Sequence, residues 1–143
     1  MKKTVAVSAV MGEGWAIRAD IRDHQMVIDQ PKGSGGTDEG PSPLEYFLFS
    51  LAGCVGSIGR IAAHQQRIDL RAMEINVEAD LNPEGLMGKE IDERVGFQTV
   101  RITAKIDADL DQAQKEAFLD AVCKRCPLHD NIKLATDVAH SLI

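Results

Sequence analysis

From Tyr46 to Gly59 the chain carries no charged residue. That stretch follows Ser42-Pro43-Leu44-Glu45. Ser42 is a good N-cap, Pro43 sits at N1 and Glu45 falls at N3, a capping box with proline at its preferred place. The pattern predicts a helix that starts sharply at Pro43, is apolar all round and is buried on all sides. Gly53, Gly56 and Gly59 recur every three residues within it. Each costs roughly 1 kcal/mol relative to alanine, so they predict close approach by a neighbouring backbone or a break near Gly53. The helix turns polar at His64-Gln65-Gln66-Arg67. In a chain of 143 residues one sheet covers one face of such a helix. A second subunit is expected to cover the other, giving a homodimer that buries residues 46–63 at or near its interface.

The flanking elements read from their alternation. Residues 2–10, 14–22 and 25–29 are expected to be three short strands, with turns at Gly12-Glu13-Gly14 and Asp23-His24. Residues 31–42 form a Gly-rich polar loop, either a mobile loop near a site or a plain connector. Met73, Ile75, Val77 and Ala79 alternate with polar residues in a half-buried strand over 70–80. Residues 81–94 read as a solvated loop, and 96–106 as another strand. Asp109 or Asp111 caps a helix to about Lys124, and Pro127 starts a final helix over roughly 128–142. The order β-β-β-α-β-β-α-α indicates the α+β class. No repeat or linker interrupts it, so residues 1–143 are expected to form a single domain.

Composition excludes several functions. The net charge of −6 and the scattered Lys and Arg lack the basic patch that nucleic acid requires. Aromatics at 4% offer no stacking platform for bases. Met1-Lys2-Lys3 resembles the start of a secretory signal, but the apolar stretch is short and Glu13 and Arg18 follow at once. No apolar run reaches the roughly 20 residues needed to span a bilayer. A cytoplasmic protein is expected, with neither a membrane nor a nucleic acid as partner.

Three cysteines is an odd number for a disulfide framework, which leaves metal, redox or catalytic use, or plain burial. Cys54 lies in the apolar helix, where a cysteine commonly serves as a small core hydrophobe. Cys123 and Cys126 form C-x-x-C around Lys124 and Arg125, cations expected to lower a neighbouring thiol's pKa. Cys126 also precedes the Pro127 helix, whose positive dipole end favours a thiolate. A thioredoxin-type motif is disfavoured, because Cys123 ends a helix instead of opening one. A zinc site of Cys123, Cys126, His129 and Cys54 is disfavoured because a second paired motif is lacking. No metal or cofactor is expected.

Two stretches resemble signatures of the OsmC/Ohr family. Gly40-Pro41-Ser42-Pro43-Leu44-Glu45, running on through Ala52 and Gly53 to Cys54, is similar to its central helix, with the pattern (G)-P-x-P-x-E-(apolar)-A-x-C. Cys126-Pro127-Leu128 with Ile132 is similar to its C-terminal C-P-[apolar]-x-x-x-[apolar] signature. The resemblance covers essentially the whole chain. It implies an OsmC-like fold of intertwined homodimers with a long buried central helix and two sites at the subunit interface. It also implies thiol-dependent reduction of organic hydroperoxides. Cys54 would become a sulfenic acid, Cys126 would close a disulfide with it, and a dithiol reductant, a lipoylated protein or a thioredoxin-like one, would reset the pair. The resemblance further implies an arginine from the N-terminal strands, Arg18 with Arg22 as alternate, held by a glutamate of the central helix, here Glu45. The strongest peroxidase branch carries that glutamate ten residues before the cysteine, where this chain has Leu44; Glu45 stands nine before. That is a rotation of about 100° on a helix. Other readings are a family member that binds apolar small molecules without catalysis and a zinc-bound structural domain.

Overall fold

A computed structural model describes all residues, 1–143. The chain divides into two compact units, residues 1–47 and 48–143.

The first unit is an antiparallel meander of β1 (Ala9–Met11), β2 (Ile17–Ile21) and β3 (His24–Ile28). β1 is much shorter than its alternation predicts. Ala9 faces Ala19 and Met11 faces Ile17, so in this register Val7 would already face Ile21, the last residue of β2. Residues 2–6 run past the end of their partner strand and have no ladder to join. β2 also stops one residue early. Arg22 occupies the two-residue turn to β3 with φ 55°, so it does not share a regular strand with Arg18 as expected.

The loop after β3 is ordered by one carboxylate. Asp29 is 1% exposed. It accepts hydrogen bonds from the backbone N–H groups of Gln30 (2.7 Å), Thr37 (3.2 Å) and Glu39 (3.0 Å), and from Thr37 Oγ1 (3.0 Å). The glycines serve close approach: a Cβ on Gly36 would stand 2.0 Å from the Gln30 carbonyl oxygen, and one on Gly40 2.4 Å from that of Val27. The loop is thus a folded connector tied back on β3, with Asp29 N–H donating to Pro41 O.

Helix α1 runs unbroken from Pro43 to Gln66, so the break considered at Gly53 is absent. Its capping box forms as read: Ser42 N–H donates to Glu45 Oε2 (2.7 Å), and Glu45 N–H to Ser42 Oγ (3.3 Å). By length and composition alone α1 is long and apolar enough to cross a membrane, contrary to the reading of the apolar runs. One stripe of it is covered within the second unit. Leu51, Val55, Gly59, Ala62 and Ala63 are buried.

The covering surface is the hairpin of β4 (Ala72–Asp80) and β5 (Thr99–Asp107). Its inner face presents Met73, Ile75, Val77, Val100, Ile102 and Ile106. Gly56 and Gly59 face this sheet: a Cβ on them would stand 3.3 Å from Ile75 Cδ1 and 2.7 Å from Met73 Sδ. Gly53 meets nothing within 4 Å. The expectation of burial on all sides therefore fails within one chain: Phe49 is 74% exposed and Ile61 46%. The outer face of the hairpin carries cross-strand ion pairs, Glu74–Lys105, Glu78–Arg101 and Arg71–Asp107. Between the strands lies α2 (Pro83–Leu86), one turn capped by Asn82, where a loop was expected.

α3 (Gln112–Arg125) begins at a full capping box of Asp111 and Gln114. It buries Phe118 and Val122 in the same core as α1. Pro127 has no N–H to continue α3 and opens α4 (Pro127–Lys133) instead. α4 ends far short of the expected residue 142. Val138, Leu142 and Ile143 are exposed, and without a surface to pack on a short helical extension is marginal.

α1 terminates in a Schellman motif: Ile68 N–H donates to Ala63 O (2.9 Å) and Arg67 N–H to His64 O (3.3 Å). The left-handed residue is Arg67, φ 56°, where glycine is the unstrained choice. Arg67→Gly is expected to stabilise the protein by about 0.5–1 kcal/mol, read as a raised urea midpoint at constant slope.

Candidate functional site

The second unit brings two of the expected residues together. Cys54 rides on α1 beside the buried Val55, and Cys126 sits in the joint between α3 and α4. Pro127 creates that joint. As C-cap of α3 and N-cap of α4, Cys126 has φ −77° and ψ 115°. This turns its side chain into the core, where it is 1% exposed. Its Sγ accepts from His129 N–H at 3.5 Å, as the expected place at a helix N-terminus requires. Cys54 packs against the core cluster to which Cys126 belongs, and the Cys126 thiol and the Leu128 backbone N–H are near enough to act on its pKa. All three cysteines are free.

Burial pushes the Cys54 thiol up. The hydrogen bond with Cys126 and the repulsion of a Cys126 thiolate act in the same direction, while the Leu128 N–H pulls it down. None of these groups is a cation. Cys123 is also raised, first by burial and then by the charges of Cys126 and Asp120. The expected lowering by Lys124 and Arg125 is not seen there. Arg125 reaches away to Gln65 Oε1 on α1 (2.9 Å), and both side chains lie on the surface. Cys54, Cys123, Cys126 and His129 do not assemble as a set of metal ligands.

The first unit holds the other expected residues. Arg18 on β2 donates through Nη2 to both carboxylate oxygens of Glu39, each at 3.0 Å. Its side chain is 62% exposed. Glu45, the expected partner, is engaged with Ser42. The hydrogen bonds from Ser42 hold its carboxyl below the ordinary value. Glu39 was not read from the sequence, and neither was Asp29, which fixes Glu39 by accepting its N–H. An acid between an apolar strand and a Gly-rich loop was the available signal, because Asp side chains commonly organise the donors of a following turn.

With the fold and thiols described, the class is that of small α+β proteins with a cysteine on a core helix and a second cysteine at a C-terminal helix joint. The chain belongs to the OsmC-like protein family, whose model matches residues 36–141. It is 27% identical over 135 residues to a hydroperoxide reductase of Mycoplasma genitalium, covering 92% of this chain and 89% of that one. Its fold is similar to that of an OsmC-like protein from Mycoplasma pneumoniae (TM-score 0.80, 24% identity, 94% and 91% coverage). It is also similar to that of an organic hydroperoxide resistance protein OsmC from Legionella pneumophila (TM-score 0.67, 24% identity, 92% and 90% coverage).

The four hydrogen bonds to Asp29 hold its carboxyl below the ordinary value, the backbone N–H groups of Glu39 and Gln30 contributing most. A depressed folded pKa means that this stabilisation is complete above the ordinary carboxylate value, about 3.9. It is lost as pH falls through the lower folded value. Exchange of the Thr37 and Glu39 amides, corrected for intrinsic rates, is expected to rise only below about pH 4. In Asp29→Asn one acceptor oxygen is replaced by a donor, and the same amides should exchange roughly tenfold faster or more at neutral pH.

Proposed function

We propose that this protein is a thiol-dependent peroxidase that reduces organic hydroperoxides to alcohols, in defence against oxidative stress. The observation that carries the reading is the thiol pair. Cys54 packs against the apolar core cluster to which Cys126 belongs, near enough for Cys126 to act on its pKa, and the His129 N–H donates to the Cys126 sulfur. The names of the relatives support a role in peroxide detoxification. The similarity to the Mycoplasma genitalium reductase over 92% of the chain supports a single working domain over 1–143.

In this reaction the Cys54 thiolate attacks the outer peroxide oxygen and the alcohol leaves. Cys126 then attacks the resulting sulfenic acid, water leaves, and a disulfide joins the two. A dithiol, either a lipoylated or a thioredoxin-like protein, returns both to thiols by exchange. Apolar surroundings favour alkyl and fatty-acid hydroperoxides over hydrogen peroxide. Burial alone holds Cys54 protonated, so the reaction needs a cation. Arg18 is the proposed one, with its guanidinium oriented by Glu39. Glu45 acts through the helix: it fixes where α1 begins and hence the turn that carries Cys54. Three free thiols suit a reducing compartment such as the cytoplasm.

The working form is proposed to be a homodimer. Phe49 and Ile61 on α1, and Val5, Val7 and Val10 at the N-terminus, are exposed. Large apolar side chains left open in each unit in this way support contact with a second subunit.

The raised Cys54 thiol also supports a second reading, a protein that binds apolar small molecules with structural cysteines. Thiol counting separates the two. One equivalent of cumene hydroperoxide should remove two thiols per chain rapidly in the wild type and none by that route in Cys54→Ser. Unchanged wild-type thiols would favour the binding protein. Arg18→Ala should slow thiol loss roughly tenfold or more, about one pKa unit of lost thiolate stabilisation, and the deficit should shrink as pH rises. Sedimentation should give a dimer at micromolar concentration and a folded monomer for Phe49→Glu.

A further inference from the structure

The chain carries a third thiol that the two-cysteine cycle does not use. Cys126 is the most enclosed of the three, 1% exposed, while Cys54 and Cys123 are both half-buried. Cys54 and Cys123 pack against the same core cluster, of which Cys126 is a member. Cys123 occupies the last turn of α3, and Cys126 N–H closes that turn on Cys123 O at 3.2 Å. Positions three apart on a helix have Cα atoms about 5 Å apart, inside the range of about 4.4–6.8 Å that a disulfide requires. Cys126 has left helical geometry, so its side chain is not held to the direction that α3 would impose. One buried thiol therefore shares its core cluster with the other two and stands a single helical turn from Cys123.

We propose that Cys123 is a third redox thiol, which takes Cys126 over from Cys54 by internal exchange and moves the disulfide to the C-x-x-C pair. The proposal rests on the peroxidase reading for its oxidant, an organic hydroperoxide, which first yields the Cys54–Cys126 disulfide. The Cys123 thiolate then attacks Cys126 Sγ. A Cys123–Cys126 bond forms and the Cys54–Cys126 bond breaks. Cys54 leaves as a thiolate and takes up a proton equivalent to the one that Cys123 released. No electrons are gained or lost, so the exchange needs no further reagent.

The chemistry favours this order. Burial raises the Cys123 thiol first, and an ionised Cys126 would add to this by repulsion. Once Cys126 is bound in a disulfide it carries no charge, and that restraint is lifted. The exchange would also return Cys54 to a thiol before any external dithiol acts, so that it can meet a second equivalent of hydroperoxide.

The test compares wild type with Cys123→Ser. Reduced protein is oxidised with one equivalent of cumene hydroperoxide and, separately, with diamide. Samples are quenched with N-ethylmaleimide over time and digested with trypsin, which cuts after Lys124 and Arg125, so the peptide pairs report each disulfide. In wild type the Cys54–Cys126 pair is expected to appear first and give way to Cys123–Cys126, with Cys54 becoming alkylatable again. In Cys123→Ser the first pair should accumulate at the wild-type rate and then persist, with Cys54 closed to alkylation until dithiothreitol is added. Cys54–Cys126 as the sole wild-type pair under both oxidants, with Cys54 never becoming alkylatable again, overturns the proposal. Diamide needs no peroxidase step. If it produces the shift while cumene hydroperoxide leaves the thiols intact, the exchange stands and the peroxidase reading falls. If neither oxidant gives a disulfide, both fall.

Discussion

The second unit depends on the contact between one stripe of α1 and the inner face of the β4–β5 hairpin. Leu51, Val55, Gly59 and Ala62 form that stripe, and small residues within it let the helix lie close to Met73 and Ile75. Each large apolar side chain fully buried there contributes roughly 1.5–3 kcal/mol. Cys54 is held next to this stripe. Its height along the helix is set by the cap at Ser42 and its rotation by the stripe. The same core receives Phe118 and Val122 of α3, which brings the α3–α4 joint, and Cys126 with it, to the same place. The thiol pair is thus a by-product of core packing, assembled from positions 72 residues apart in the chain.

Features governed by neighbours in sequence were legible before the structure. The capping box at Ser42, a helix cap at Asp111 (one of the two acids considered), the new helix at Pro127 and the alternation of β4 and β5 all form close to where they were read. The family resemblance, carried by two short stretches around Cys54 and Cys126, is matched by the family model and by the fold. Features that depend on distant partners were not legible. The length of β1 is decided by where β2 ends, and that of α4 by the absence of a surface beyond Lys133. Burial of α1 on all sides was inferred from composition, which counts apolar residues but cannot say which chain covers them.

The polar partners show the same limit more sharply. Arg18 was read as a functional cation, but its carboxylate turned out to be Glu39, 21 residues away. That choice depends on how Asp29 folds the intervening loop. The three acids Asp29, Glu39 and Glu45 look alike in sequence. One is buried and orders a loop, one holds an arginine, and one caps a helix. Only the positions of the donors around them separate these roles.

The charged outer face of the β4–β5 hairpin acts as a proofreading device for strand alignment. Its inner face alternates apolar residues at every second position, and a shift of two residues would leave that pattern intact. The outer face is less forgiving. In the native register Glu74 faces Lys105 and Glu78 faces Arg101. Slid two residues one way, Glu74 would face Asp107, and like charges opposite each other are destabilising. Slid the other way, Lys105 would face Ala72 and Arg101 would face Asn76, and both pairings would be lost. Each exposed pair adds at most about 1 kcal/mol to the native state. The pairs therefore matter more for what they disfavour: a hairpin two residues out of step, with a sound core but Met73 and Ile75 no longer beneath the glycines of the helix.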